Sequence, residues 1–240
     1  MATQATAEAF MARLEALASP AERERLQRYF QAGEGADRSG DVFIGVRMGD
    51  VFRLAKEFAD LPPSQIDRLL ASPIHEARAG ALSIMGKQAT SRGTPERRRK
   101  ELFELYLRRT DRINDWDLVD VSAHHVVGGY LLDKPRDVLY ELARSPRWWE
   151  RRIAMFATMA FARKNDLDDL FRIAEILVHD EHDLVQKVVG GVLREAGKHD
   201  RTRLLGFLDR YAATAPRVLL RYAIEHLDQE QRAHYLSKKE

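Results

Sequence analysis

Four stretches of this chain share one pattern, and their spacing limits the fold more than any other feature. HEARAGALSIM from His75, WERRIAMFATM from Trp149, LVQKVVGGVLR from Leu184 and VLLRYAIEHL from Val218 each open with a basic residue in a first helical turn. Small and branched apolar residues follow in every case. The basic residues are Arg78, Arg152, Lys187 and Arg221; the last three recur about 35 residues apart, and Arg78 lies roughly two such periods before Arg152. The stretch NDWDLVDVSAHHVVGGYL, from Asn114 to Leu131, occupies the slot between them. A period near 35–40 residues made of helical pairs marks HEAT-like arrays. In such arrays each pair buries its apolar face only by stacking on its neighbours.

The rest of the chain reads the same way. Short turn signals separate helical segments: SP at Ser72, GTPE at Gly93, INDW at Ile113, DKPRD at Asp133, SPR at Ser145, KND at Lys164, HDEHD at His179, GKHD at Gly197 and TAP at Thr214. Upstream, Phe10, Met11, Leu14 and Leu17 recur at helical spacing. Pro20 is placed to open a second helix, with Ser19 as its cap and Leu26, Tyr29 and Phe30 on the inner face. GEGADRSGD, residues 33–41, has loop composition. VFIGVRM, residues 42–48, reads as an ordered entry to a helix over Asp50–Phe58, which LPPS at Leu61 ends. No stretch alternates as a strand does. The expectation is an all-α fold: a right-handed superhelical solenoid of HEAT-like helical repeats with a concave basic groove. It forms a single domain over 1–240, with N-terminal helices and a loop in 1–60 and regular helical pairs in 61–240. Inner helices should begin near His75, Asp115, Arg147, Asp183 and Pro216.

Composition narrows the function classes. The chain is 45% hydrophobic and 32% charged, which suits a helix-rich globular protein and not a disordered one. It has no cysteine, which excludes disulfides, thiolate metal sites and thiol nucleophiles. The start of the sequence lacks a basic region followed by an apolar run, and nothing approaches the length of a membrane span. The expected setting is the cytoplasm. The net charge of +2 supports no nucleic-acid reading alone. Its distribution carries more: Arg92–Arg112 holds eight basic residues against four acidic, and Lys134–Lys164 eight against three. A basic ladder of Arg78, Arg152, Lys187 and Arg221 along one groove would suit a phosphate backbone. Mixed charges on solvated helices account for the same counts.

Within NDWDLVDVSAHHVVGGYL, Trp116 and Asp120 stand four residues apart, one helical turn on one face. Val119, Ala123 and Val127 form the adjacent apolar stripe. Together with VFIGVRM from Val42, EARAGALSIM from Glu76, DWDLVDVSA from Asp115, RWWERRIAMF from Arg147 and QKVVGGVLREAGK from Gln186, this block resembles the AlkD-type DNA alkylation repair family. Members are HEAT-like-repeat glycosylases that remove positively charged N3- and N7-alkylpurines, and the likeness spans roughly Tyr29 to Leu227. The most specific part is Trp116, Asp117, Val119 and Asp120. The resemblance implies that Asp120 is the catalytic carboxylate, that Trp116 contacts the lesion's deoxyribose, and that Arg152 touches the DNA backbone beside them. It also places Trp149, in the WxxR of Trp149 and Arg152, at the DNA. The sequence departs from the family at Gly191, where the pattern has a second tryptophan. Trp148 and Tyr130 are the aromatics that could substitute for it.

The chemistry agrees with such a pair. A cationic purine leaves as a neutral base without protonation, so no second carboxylate acting as acid is needed. One fixed carboxylate can stabilise the oxocarbenium charge and position a water. A tryptophan face adds a cation–π contribution of about 0.5–2 kcal/mol. The plain alternatives are that Trp116 packs between helices and that Asp120 is a solvated or salt-bridged acid. Asp117, near the helix start, reads as a partner of the helix dipole. Asp120 and His124, at i and i+4, could begin a metal site, but no third ligand is evident and no metal or other cofactor is expected. The remaining histidines fall at loops or helix ends, consistent with capping. The expected partner is double-stranded DNA containing alkylated purines, bound by a monomer. Two other readings remain open: a catalytically weak or inactive DNA-binding relative, and a protein-interaction scaffold.

Overall fold

The computed structural model describes residues 5–31 and 41–238. Among the described residues the regular secondary structure is helical, with one isolated parallel bridge between Val42 and Ile74. The helices are α1 (Ala7–Glu15), α2 (Pro20–Gln31), α3 (Met48–Glu57), α4 (Pro63–Leu70), α5 (His75–Thr90), α6 (Glu96–Arg108) and α7 (Trp116–Ala123). After a π-helical turn over His124–Gly128 come α8 (Asp137–Leu142), α9 (Trp148–Ala157), α10 (Met159–Ala162), α11 (Asp168–Leu177) and α12 (Asp183–His199). The chain ends with α13 (Arg201–Tyr211), α14 (Arg217–Ala223) and α15 (Gln229–Ser237). The expected inner-helix starts agree with α5, α7, α9, α12 and α14. The loop over residues 33–40 lies outside the described residues.

The chain divides into two compact units, Met1–Tyr130 and Leu131–Glu240. In the first, α3, α5 and α7 pack side by side, and α4 and α6 cover α5. α5 is therefore buried nearly all round, from His75 to Ala89, which explains its run of Ala, Gly and Ser and its lack of a polar face. In the second unit α9, α12 and α14 form the corresponding row, backed by α11 and α13. Not every expectation for α2 holds. Leu26 is buried, but Tyr29 is 61% exposed, and the side chain of Phe30 lies outside the described residues.

Two adjacent glycines of α12 have opposite surroundings. A Cβ at Gly190 would lie 2.4 Å from the Leu219 carbonyl oxygen and 2.6 Å from Cβ of Tyr222, so only glycine lets the α14 backbone approach this closely. A Cβ at Gly191 would meet nothing within 4 Å. Gly190→Ala should destabilise the protein by about 1–3 kcal/mol through overpacking. Gly191→Ala should raise stability by up to about 1 kcal/mol through helix propensity. Thermal melts of the two variants check this, and equal effects would contradict the packing described.

The repeat period reappears in the polar contacts. Arg136 to Asp169, Arg151 to Asp180, Arg203 to Asp168 and Arg210 to Glu175 all join residues 29–35 apart. Each links one helical pair to the next.

Candidate active site

α7 presents a half-exposed stripe of Trp116, Asp117, Asp120, Val121 and His124. Its other side, Leu118, Val119, Ser122 and Ala123, is buried, and Val126 and Val127 continue that buried side. The three-and-four spacing thus divides the helix as its sequence implies. Trp116 and Asp120 emerge together on the accessible side, one turn apart.

The first turn of α7 is fixed from several directions. Fully buried Asp115 caps it, its Oδ1 accepting the Trp116 N–H at 2.7 Å. Trp116 itself is partly buried and packs against Leu26 of α2 and Phe43. Asp117 is not simply a dipole partner, since its Oδ2 lies 2.7 Å from Nε2 of His75 on α5. His75 is no exposed cap either; it is wholly buried, with Nδ1 3.5 Å from Asp41 and its ring stacked on Phe43 at 4.8 Å between centroids. Arg78 pairs with the same Asp41 oxygen at 2.5 Å. The expectation of helix-end capping does hold for His182, whose Nδ1 accepts the Leu184 N–H.

The VFIGVRM segment closes this cluster. Glu76, buried at the start of α5, accepts the successive N–H groups of Ile44, Gly45 and Val46 at 3.1, 2.8 and 3.3 Å. Three consecutive amides make a natural anion cradle, and here the anion is the protein's own carboxylate. Gly45 has φ +86°, and a Cβ there would sit 2.2 Å from the Ser19 carbonyl oxygen, so the turn requires glycine.

Electrostatics follow from this burial. Desolvation alone would push the His75 imidazole down, but the charge and hydrogen bond of Asp117, helped by Asp41, push it up to about 9 despite Arg78. Burial pushes Asp41 up, yet His75 and Arg78 hold it below the ordinary carboxylate range. An imidazolium and a guanidinium therefore balance Asp41 and Asp117. Because the folded value of His75 lies above its unfolded 6.5, the stabilisation is fully present below about pH 6.5 and is lost as pH rises through about 9. Urea midpoints should fall across that window, and less so in His75→Gln. Parallel curves for the two proteins would count against a charged His75.

Behind α7, buried Tyr106 of α6 lies 3.2 Å from Ser122 Oγ. Burial first, and the Asp120 charge in addition, keep its phenol protonated far above its usual range. The π-helical turn follows one turn after Asp120, with the His124 and His125 rings 3.7 Å apart. Such turns recur at functional sites.

Among the described residues, one group of three side chains has metal-ligating atoms close together: His75, Asp115 and Asp117, within 4.8 Å. Nε2 of His75 faces Asp117, Asp115 accepts from Trp116, and Arg78 adds a cation alongside. The donor set reads as an ion-pair network rather than a metal centre. Asp120 and His124 are not part of it.

The expected basic ladder needs correction at two positions. Arg78 is 0% exposed, and its Nη1 donates to the Arg112 carbonyl and Asn114 Oδ1. Arg152 is 6% exposed and donates to the Leu184 carbonyl at 2.5 Å. Both arginines brace the approach to the next inner helix, 32–36 residues on. Both side chains are thus buried and engaged within the protein rather than standing out from its surface. Lys187 is part-exposed and paired with Asp183, and Arg221 is exposed. Trp149 is half-buried and edge-on to Trp148 at 5.8 Å, with an indole N–H that meets no acceptor among the described residues.

Asp41, Phe43, His75 and Glu76 were not singled out for the site by sequence reasoning. One signal was present: Glu76 and Arg78 stand at the head of a helix otherwise made of small and apolar residues. Charges in such a run are buried and paired more often than solvated.

A family model described as DNA alkylation repair enzyme matches residues 10–227. A solved structure described as a predicted DNA alkylation repair enzyme from Enterococcus faecalis superposes with a TM-score of 0.67 at 15% identity. That likeness covers 88% of this chain and 97% of the other, and supports the fold. No curated protein matches the sequence significantly. No helix among the described residues is long and apolar enough to cross a membrane.

Proposed function

The chain belongs to the DNA alkylation repair enzyme family, and from that premise we propose that it hydrolyses the N-glycosidic bond of cationic N3- and N7-alkylated purines in double-stranded DNA. The family gives it a DNA repair role, with DNA as substrate. The observation that carries the finer reading is the α7 stripe, where part-exposed Trp116 and Asp120 stand one turn apart on the accessible side of the helix.

In this reaction the C1′–N bond breaks and its electron pair neutralises the alkylated base, so the base needs no proton to leave. Positive charge collects on the sugar. The Asp120 carboxylate stabilises it electrostatically, and Trp116 offers its ring face to the same sugar. A water held by Asp120 adds to C1′ and loses its proton to solvent. Lys187, Arg221 and Trp149 are the remaining candidates for DNA contact. Arg78 and Arg152 act through the protein interior. The test is incubation with methylated duplex DNA: release of N7-methylguanine or N3-methyladenine is expected, and none from a folded, DNA-binding protein would overturn the assignment.

Gly191 favours a second reading, a weak or inactive DNA-binding relative. Open space faces its missing side chain, and the proposed substitutes are engaged elsewhere. Trp148 is 7% exposed and stacked on His182, and Tyr130 is stacked on Phe103. Salt-dependent DNA binding without base release would support this reading, and Gly191→Trp should then bring release back.

A further inference from the structure

We propose that His75 is a positioning residue for Trp116 and Asp120, holding the first turn of α7 through Asp117 and backing the Trp116 indole through Phe43. The proposal rests on the function assigned above to that pair. His75 acts on that pair through its neighbours Asp117 and Phe43.

The geometry joins three segments at one imidazole. Nε2 meets Asp117 at 2.7 Å, in the residue next to Trp116. Nδ1 faces Asp41 at 3.5 Å, at the start of the segment that Glu76 cradles. The ring face stacks on Phe43, and Phe43 with Leu26 forms the surface on which Trp116 rests. Arg78 secures the same assembly from below, through Asp41 and Asn114. The charged groups around His75 are thus Asp41 from the segment before α3, Arg78 from its own helix, and Asp115 and Asp117 from α7.

The common replacements each fail one of these demands. Lysine could meet the carboxylates but has no face for Phe43. Phenylalanine could stack but leaves Asp117 and Asp41 without a donor. Glutamine reaches one carboxylate. Without His75 the polar hold on the first turn of α7 falls to the Asp115 cap and to Arg78 through Asn114, and neither touches the Asp117 side chain. Asp120 and Trp116 lie on consecutive turns, so a small rotation displaces both tips in the same sense. Misplacing a reacting group by about 1 Å can cost on the order of 10²-fold in rate.

The test uses the full chain labelled with 5-fluorotryptophan. Its three tryptophans give three fluorine resonances, assigned by single Trp→Phe variants. In His75→Gln and in Asp117→Asn the Trp116 resonance should shift or broaden while those of Trp148 and Trp149 stay in place. Single-turnover alkylpurine release at saturating DNA should fall on the order of 10- to 100-fold, with DNA affinity changed by no more than about twofold. If His75→Gln does not fold, Asp117→Asn, which keeps the shape of the side chain, decides the matter. A Trp116 resonance that does not move in a folded variant overturns the proposal. So does unchanged release, or release and affinity falling together. Should the unmodified protein release no alkylpurine, the function assigned above fails, and the fluorine spectra still decide whether His75 positions Trp116.

Discussion

Asp120→Asn will slow alkylpurine release by a factor on the order of 10²–10³, the loss expected on removing one preorganised electrostatic group. The substitution keeps the size and shape of the side chain and removes its charge. Asp120 lies on the half-exposed side of α7, and the buried side that anchors the helix, from Leu118 to Val127, does not include it. Folding should therefore survive, and thermal melts of the variant should stay close to those of the parent. DNA affinity should hold or rise, because a negative charge near the phosphates disappears. Quantifying released N7-methylguanine under single-turnover conditions checks the rate. Full activity in the folded variant would remove Asp120 from the chemistry, and a loss confined to stability would make it a structural acid.

Arg78→Leu will cost about 3–5 kcal/mol of stability, since removing one partner of a buried pair strands the other. Asp41 would lose its guanidinium, and the Arg112 carbonyl and Asn114 would lose their donor. Arg78→Lys should recover only part of this, because an ammonium cannot span a carboxylate, an amide and a carbonyl as the planar fork does. Urea denaturation measures the loss. The same variants separate this role from phosphate contact. A lost phosphate contact would flatten the salt dependence of DNA binding by about one unit of slope. An interior brace leaves the slope of the folded fraction unchanged. A stable Arg78→Leu protein with a flattened slope would restore Arg78 to the DNA surface.

Local geometry was legible in the sequence because it depends on neighbours along the chain. Helix starts at His75, Trp116, Trp148, Asp183 and Arg217 follow from turn residues and helical spacing. The placement of Trp116 and Asp120 on one accessible face follows from 3.6 residues per turn, once Val119, Ala123 and Val127 mark the buried side. The repeat period was equally visible, since it is a property of the sequence itself.

Tertiary structure decided what each recurring residue meets. Arg78 and Arg221 occupy the same register of their repeats, yet one is sealed inside and the other exposed. α5 is wrapped by α3, α4, α6 and α7, whereas α14 packs chiefly on α12. A basic residue in a helical pattern does not record how many helices surround it, so of the ladder read from spacing Arg78 and Arg152 are internal braces while Lys187 and Arg221 stay accessible. Gly190 and Gly191 make the same point in adjacent positions, one pressed against α14 and one facing open space. The cluster around His75 was hidden for a further reason. Its members, Asp41, Phe43, His75 and Asp117, come from segments up to 76 residues apart, and only packing brings two carboxylates close enough to hold an imidazole charged.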